Sequence, residues 1–193
     1  MNTVKLSVKT QEKTISLIEF LQLPETKPAS EYIDGKINQK DIPQGQHSTI
    51  QGELTTVINS VVKPPKIARA FVELRCTFAN RSIVPDISVF TWDKIPRNPD
   101  GTIANIFNLS PDWMIEILSP HQSYTKIIKK ILHCLKHGTQ IGWLIDPDEK
   151  TIFVYQPKQD IEIFDQPEDL LIVPDFAQQL QLTHGDLFGW LLE

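Results

Sequence analysis

Residues 113–118, Trp-Met-Ile-Glu-Ile-Leu, form a short and nearly continuous apolar run, the pattern of a strand buried on both faces. After Ser119-Pro120 the period changes. From Tyr124 to His137, Ile127, Ile128, Ile131, Leu132 and Leu135 recur at helical spacing, and Gly138 is placed to end the helix. A second apolar run, Ile-Gly-Trp-Leu-Ile at 141–145, reads as another buried strand. Strand, helix and strand in that order imply a right-handed crossover with the two strands parallel neighbours. The rest of the chain has to be accommodated around this unit.

Upstream, Ser16 to Leu21 predicts a short helix capped by Ser16, with Leu17, Phe20 and Leu21 on one face. Glu31 to Pro43 reads as a hairpin turning at Asp34-Gly35. His47 to Val62 predicts an amphipathic helix with Ile50, Leu54, Val57, Ile58 and Val61 inward, stopped by Pro64-Pro65. Residues 68–78 and 82–90 read as two strands that pair through a turn near Asn80-Arg81, with Pro85 marking an edge or a bulge. Residues 93–111 are polar and proline-containing, a loop. Downstream, residues 151–157 and the Ile-Glu-Ile-Phe segment at 161–164 pair, and a closing helix is capped by Thr183. Met1 to Lys13 reads as a loose arm. At 193 residues, without repeats, the chain is expected to form a single domain over 1–193.

Composition narrows the function classes. No stretch is apolar and long enough to span a bilayer, and the N-terminus lacks the apolar run of a secretory signal. Cys76 and Cys134 have neither metal-type spacing nor the density of a disulfide scaffold, so a reducing cytoplasm is the expected location. The net charge of −5 argues against tight, sequence-independent DNA binding, although metal ions can offset site acidity and a nuclease is not excluded. Basic residues do cluster at Lys63, Lys66 and Arg69, and again at Lys126, Lys129 and Lys130.

Chemistry enters through two acids on apolar strands. Pro-Asp occurs five times, so the dipeptide itself carries no signal, but only Asp86 has β-branched apolar residues on both sides. Asp86 alone reads equally as the cap of a bulge beside Pro85. Glu116 is enclosed by Met114, Ile115, Ile117 and Leu118. An ionised carboxylate there needs a partner, either a structural ion pair with a helix lysine or a functional cation. Two such acids followed by lysines point to a divalent-metal site with an ammonium nearby, the chemistry of a metal-dependent phosphodiesterase. Lys130, beside Ile131 and one turn from Ile127, stands at the margin of the buried face, and its stem can return the ammonium to the acids. Lys126 and Lys129 read as the solvated side.

Other polar residues have plainer readings. His47 caps or packs a helix end. Glu31 and Asp34 belong to the hairpin, and Glu53 is expected on an exposed helix face. His133 and His137, one turn apart with no third ligand, read as surface histidines, and Cys134 has no activating partner. There is no glycine-rich phosphate loop, nucleophile elbow or zinc-finger spacing.

The order Asp86, then Glu116 in Glu-Ile-Leu-Ser-Pro, then a helix lysine, then Gly-Trp-Leu-Ile-Asp-Pro and a hairpin resembles the PD-(D/E)xK, or restriction-endonuclease-like, superfamily. More narrowly it is similar to the Uma-two family of restriction-endonuclease-like proteins. That similarity runs over nearly the whole chain, including residues 31–37, 43–47 and 186–191. The resemblance implies an α/β (α+β) fold: a mixed central sheet flanked by helices, with the N-terminal helix and hairpin as an extension. It implies that Asp86, Glu116 and the backbone carbonyl of Ile117 ligate Mg²⁺ or Mn²⁺, and that Lys130 is the catalytic lysine. Leu118 stands where the superfamily pattern has its lysine, and Lys126 and Cys134 stand where the family often has aspartate and tyrosine. His47 and Glu31 match recurrent family positions without an assigned role. The resulting expectation is a Mg²⁺-dependent endonuclease acting on DNA, with a homodimer suited to cutting both strands. The alternative is a catalytically decayed relative that serves as a binding or assembly module; a hydrolase of another phosphoester is a third reading.

Overall fold

The structure, a computed structural model, describes residues 15–120 and 122–192. The arm expected over Met1 to Lys13 lies outside the described residues. The fold is mixed α+β, with two sheets and four α-helices among the described residues: α1 (Leu17–Leu21), α2 (Gly45–Val62), α3 (Tyr124–Lys136) and α4 (His184–Gly189). The strands are β1 (Ser30–Ile33), β2 (Lys36–Gln39), β3 (Ala68–Val72), β4 (Cys76–Phe78), β5 (Arg81–Ile83), β6 (Ile87–Thr91), β7 (Trp113–Ile117), β8 (Ile141–Asp146), β9 (Thr151–Tyr155) and β10 (Glu162–Phe164).

The predicted strand-helix-strand unit is β7-α3-β8. β7 and β8 are parallel, with Ile115 opposite Trp143. They sit in the middle of a six-stranded sheet ordered β10-β9-β8-β7-β6-β3, in which every other pairing is antiparallel. Both strands are buried along their full length, because helices cover both faces of the sheet. On one face Ile50, Leu54, Ile58 and Val62 of α2 meet Ile87, Val89, Trp113, Ile115 and Ile117. On the other, Ile127, Ile131 and Cys134 of α3 meet Phe90, Met114 and Leu144. Close packing of α3 requires Gly142, since a Cβ there would overlap Cγ2 of Ile131.

Short-range signals hold where they were strongest. Ser16 and Glu19 form a reciprocal capping box on α1, as Thr183 and Asp186 do on α4. Asp34 and Gly35 both adopt positive φ, 51° and 83°, in the β1-β2 turn. On α1, however, only Phe20 is buried.

The largest departure concerns the two expected strands at 68–78 and 82–90. Each is broken. β3 pairs with β6 in the large sheet, whereas β4 pairs with β5, through Ala79 and Asn80 at positive φ, in a second sheet ordered β2-β1-β5-β4. The breaks face each other: Glu73 has φ of 44°, and its N–H donates to the carbonyl of Asp86. Pro85 has no N–H to give a ladder, so the chain leaves one sheet there and Asp86 re-enters the other. Leu132 is a second departure. It is 51% exposed, whereas Lys130 and Cys134 turn inward.

Candidate active site

Side chains alternate across a strand, so residue parity decides which face an acid occupies. Met114 points to α3 while Ile115 and Ile117 point to α2, which puts Glu116 on the α3 side. Phe90 is also on the α3 side, and the same parity carries back through Ser88 to Asp86. The β6-β7 register pairs Ile87 with Ile115, so continuing it by one residue sets Asp86 across from Glu116. The acids share a face at the break between the sheets, and the Oδ2 of Asp86 accepts the N–H of Ile117 at 2.7 Å.

Four other side chains converge there. Lys130 reaches in from α3, its Nζ 2.8 Å from Glu116 Oε1 and 2.9 Å from Glu31 Oε1. Glu31, on β1, uses the same Oε1 to accept the N–H of Val84 at 2.8 Å. Lys40, just past β2, donates to Asp86 Oδ1 at 2.5 Å and to the carbonyl of Val84 at 2.8 Å. His47, in the first turn of α2, places Nε2 3.5 Å from Asp86 Oδ1 and Nδ1 3.3 Å from the Ser119 hydroxyl. Asp86, Glu116 and Lys130 are each no more than 3% exposed.

The sequence-predicted trio is thus brought together, and three neighbours were underread. His47 packs at the helix end, as expected, rather than capping it, and what it packs against is Asp86. Glu31 is more than a hairpin residue, because it ties the small sheet to α3. Lys40 was missed entirely. His133, expected at the surface, stacks on Phe78, and burial followed by the charge of Arg81 pulls its pKa down to about 4. Lys126 and Lys129 are solvated, as their helical positions indicate.

Three carboxylates here face two ammonium groups. Burial opposes the charge on Asp86, but Lys40, His47 and Lys130 outweigh it and hold the carboxyl well below its usual range. Burial would likewise lower Lys130, yet Glu116, Glu31 and Asp86 keep its ammonium above the ordinary lysine value. The strain falls on Glu116, which burial pushes up to about 7 despite Lys130 beside it. Its Oε1 lies 2.8 Å from the Lys130 ammonium, its one ion-pair partner among the described residues.

The donor set fits a hard divalent ion only in part from side chains. No group of three His, Cys, Asp or Glu side chains able to hold a metal occurs among the described residues. Asp86, Glu116 and the Ile117 carbonyl give an all-oxygen set, and Mg²⁺ typically keeps several waters and takes one or two carboxylates. The ammonium of Lys40 already rests on Asp86 Oδ1, so an arriving cation has to share that oxygen or displace it.

With Glu116 at about 7 in the folded chain against an ordinary 4.5, the folded state keeps a proton between those values that the unfolded state has released. Stability therefore falls as pH rises from 4.5 to 7. His133 works in the opposite sense between about 4 and 6.5. Urea midpoints measured in chelator should show that Glu116→Gln removes the falling component relative to the parent. Parallel pH profiles for the two proteins would contradict it.

A family model, Uma2, described as "Putative restriction endonuclease", matches residues 17–185. Among solved structures, a crystal structure titled as a "putative nuclease belonging to DUF820" from Anabaena variabilis is 67% identical, with a TM-score of 0.91. The match covers 92% of this chain and 99% of that one. No curated protein matches.

Proposed function

The chain belongs to the Uma2 family, and from that premise we propose that it is a Mg²⁺-dependent endonuclease that hydrolyses phosphodiester bonds in DNA, with Mn²⁺ as a working substitute. The observation that carries this reading is the shared face of Asp86 and Glu116 with Lys130 2.8 Å from the latter. Asp86, Glu116 and the Ile117 carbonyl would hold the cation, which supplies Lewis-acid polarisation of a phosphoryl oxygen and a more acidic water. Lys130 neutralises negative charge that builds on the phosphoryl group as the P–O bond breaks. Its tie to Glu31 keeps that ammonium fixed. Lys40 faces both Asp86 and the open groove described below, so a phosphate oxygen can take over its ammonium when its contact with Asp86 is relaxed. His47, held by α2, steadies the same Asp86 oxygen that Lys40 of the hairpin contacts.

The test is cleavage of supercoiled plasmid with the purified chain in Mg²⁺, in Mn²⁺ and in EDTA. Nicked or linear product with either metal and none in EDTA is the expected result. A second reading, a binding module that has lost cleavage, is favoured by the engagement of both Asp86 oxygens and by the short side-chain donor set. Calorimetric titration with Mn²⁺ separates them: no heat of binding and no product leave only the second.

A further inference from the structure

Asp86 and Glu116 do not open directly to solvent. Between the β1-β2 hairpin and α3 runs a groove of about 830 Å³, with Glu31, Lys40 and Lys130 on its floor. Its flanks carry Lys36 and Arg81 on the side of the small sheet and Lys126, Lys129 and Lys136 on α3. Only Asp34 and Asp41 add negative charge along these flanks, and Asp34 is already paired with Arg81 at 2.7 Å. A chain with net charge −5 therefore concentrates positive charge in a groove whose floor lysines, Lys40 and Lys130, contact the buried acids Asp86 and Glu116.

We propose that this groove is the track for the phosphate backbone of a nucleic acid, which lies along α3 and reaches the acids past Lys40 and Lys130. The inference rests on the nuclease reading for the chemistry at the groove's floor, but the track is defined by its own charges. Lys126, Lys129 and Lys136 are exposed and fall along one stripe of α3, beside the inward stripe of Ile127, Lys130, Ile131 and Cys134. At a helical rise of 1.5 Å per residue the stripe is roughly 15 Å long. The groove does not depend on base identity: the charges on its α3 flank are long, flexible ammonium groups, which position a backbone rather than read a sequence. Lys63 and Lys66, of the second basic cluster, line a separate hollow with Trp92, and no carboxylate is among the described residues that line it.

The experiment compares the parent chain with Lys126→Ala/Lys129→Ala/Lys136→Ala and with Lys63→Ala/Lys66→Ala. Binding of a labelled DNA duplex and of its single strand is measured by anisotropy over a salt series, in EDTA so that nothing is cut. Loss of three phosphate contacts should reduce the slope of log K against log salt by about 2 to 3 and weaken low-salt binding by at least about tenfold. The form bound more tightly by the parent identifies the strand type the groove takes. The Lys63/Lys66 variant should bind as the parent does. Parent-like binding by the triple variant, an equal loss in the Lys63/Lys66 variant, or no binding of either DNA form by the parent overturns the track. Lost binding in the triple variant, with a parent that never cleaves, upholds the track and removes the nuclease reading. Cleavage by the parent with parent-like binding by the triple variant does the reverse.

Discussion

Asp86→Asn and Glu116→Gln should each lower DNA cleavage by on the order of 10³-fold or more. Metal-assisted charge stabilisation is worth several kcal/mol, and each 1.36 kcal/mol is a factor of ten. Both amides keep the shape of the acid, and Asn at 86 can still accept the N–H of Ile117. Their effects on stability should differ in sign, which is what distinguishes chemistry from mere structure. Asp86 is held ionised by Lys40 and His47, so neutralising it leaves Lys40 buried without its counter-charge and destabilises the fold. Glu116 is the surplus acid of the cluster, so its amide should be at least as stable as the parent near neutral pH. Calorimetry should show Mn²⁺ binding lost in both. If either variant cuts plasmid at the parental rate, the assignment of the two acids fails, whatever the stability data show.

How much of this site is visible in the sequence depends on the range over which each residue acts. Asp86 and Glu116 show because a charge inside an apolar run is a local contradiction, and strand parity then determines their face. Lys130 shows because it falls at the third position after Ile127 and just before Ile131, within the inward stripe. His47 carried the same signal, three residues before Ile50 on the buried stripe of α2, but its position at the helix start favoured a capping reading. Glu31 and Lys40 carried none. Their partners Lys130 and Asp86 lie 99 and 46 residues away, and nothing in a short polar hairpin marks one lysine as the residue that will meet an acid. The broken strands were hidden for a related reason. Two apolar stretches each read as continuous, and only the tertiary placement of Pro85 and the positive φ at Glu73 divide them between two sheets.

Lys130→Met should be the most destabilising single change in the cluster. The ammonium is 3% exposed and lies within 2.9 Å of Glu31 and 2.8 Å of Glu116, so its removal strips both of their cation and leaves three buried carboxylates facing Lys40, which Asp86 already occupies. Breaking a buried ion pair from one side typically costs about 3–5 kcal/mol. For a chain of this length that corresponds to a fall in Tm of roughly 6–20 °C. Lys129→Met, one residue away on the solvated side, should change stability by less than about 0.5 kcal/mol. Burial of the methionine stem is similar to that of lysine, so lost packing cannot account for the difference. The cause can be isolated by adding Glu116→Gln to Lys130→Met. Because the ammonium and the carboxylate are in direct contact, the pair should couple by about 0.5–3 kcal/mol and recover part of the lost Tm. Cleavage should not recover, since both the acid and the charge that faces the phosphoryl group are gone. Calorimetric unfolding of the four proteins measures the coupling directly. A Lys130→Met protein that melts with the parent would mean that the buried carboxylates are neutralised by something other than this ammonium.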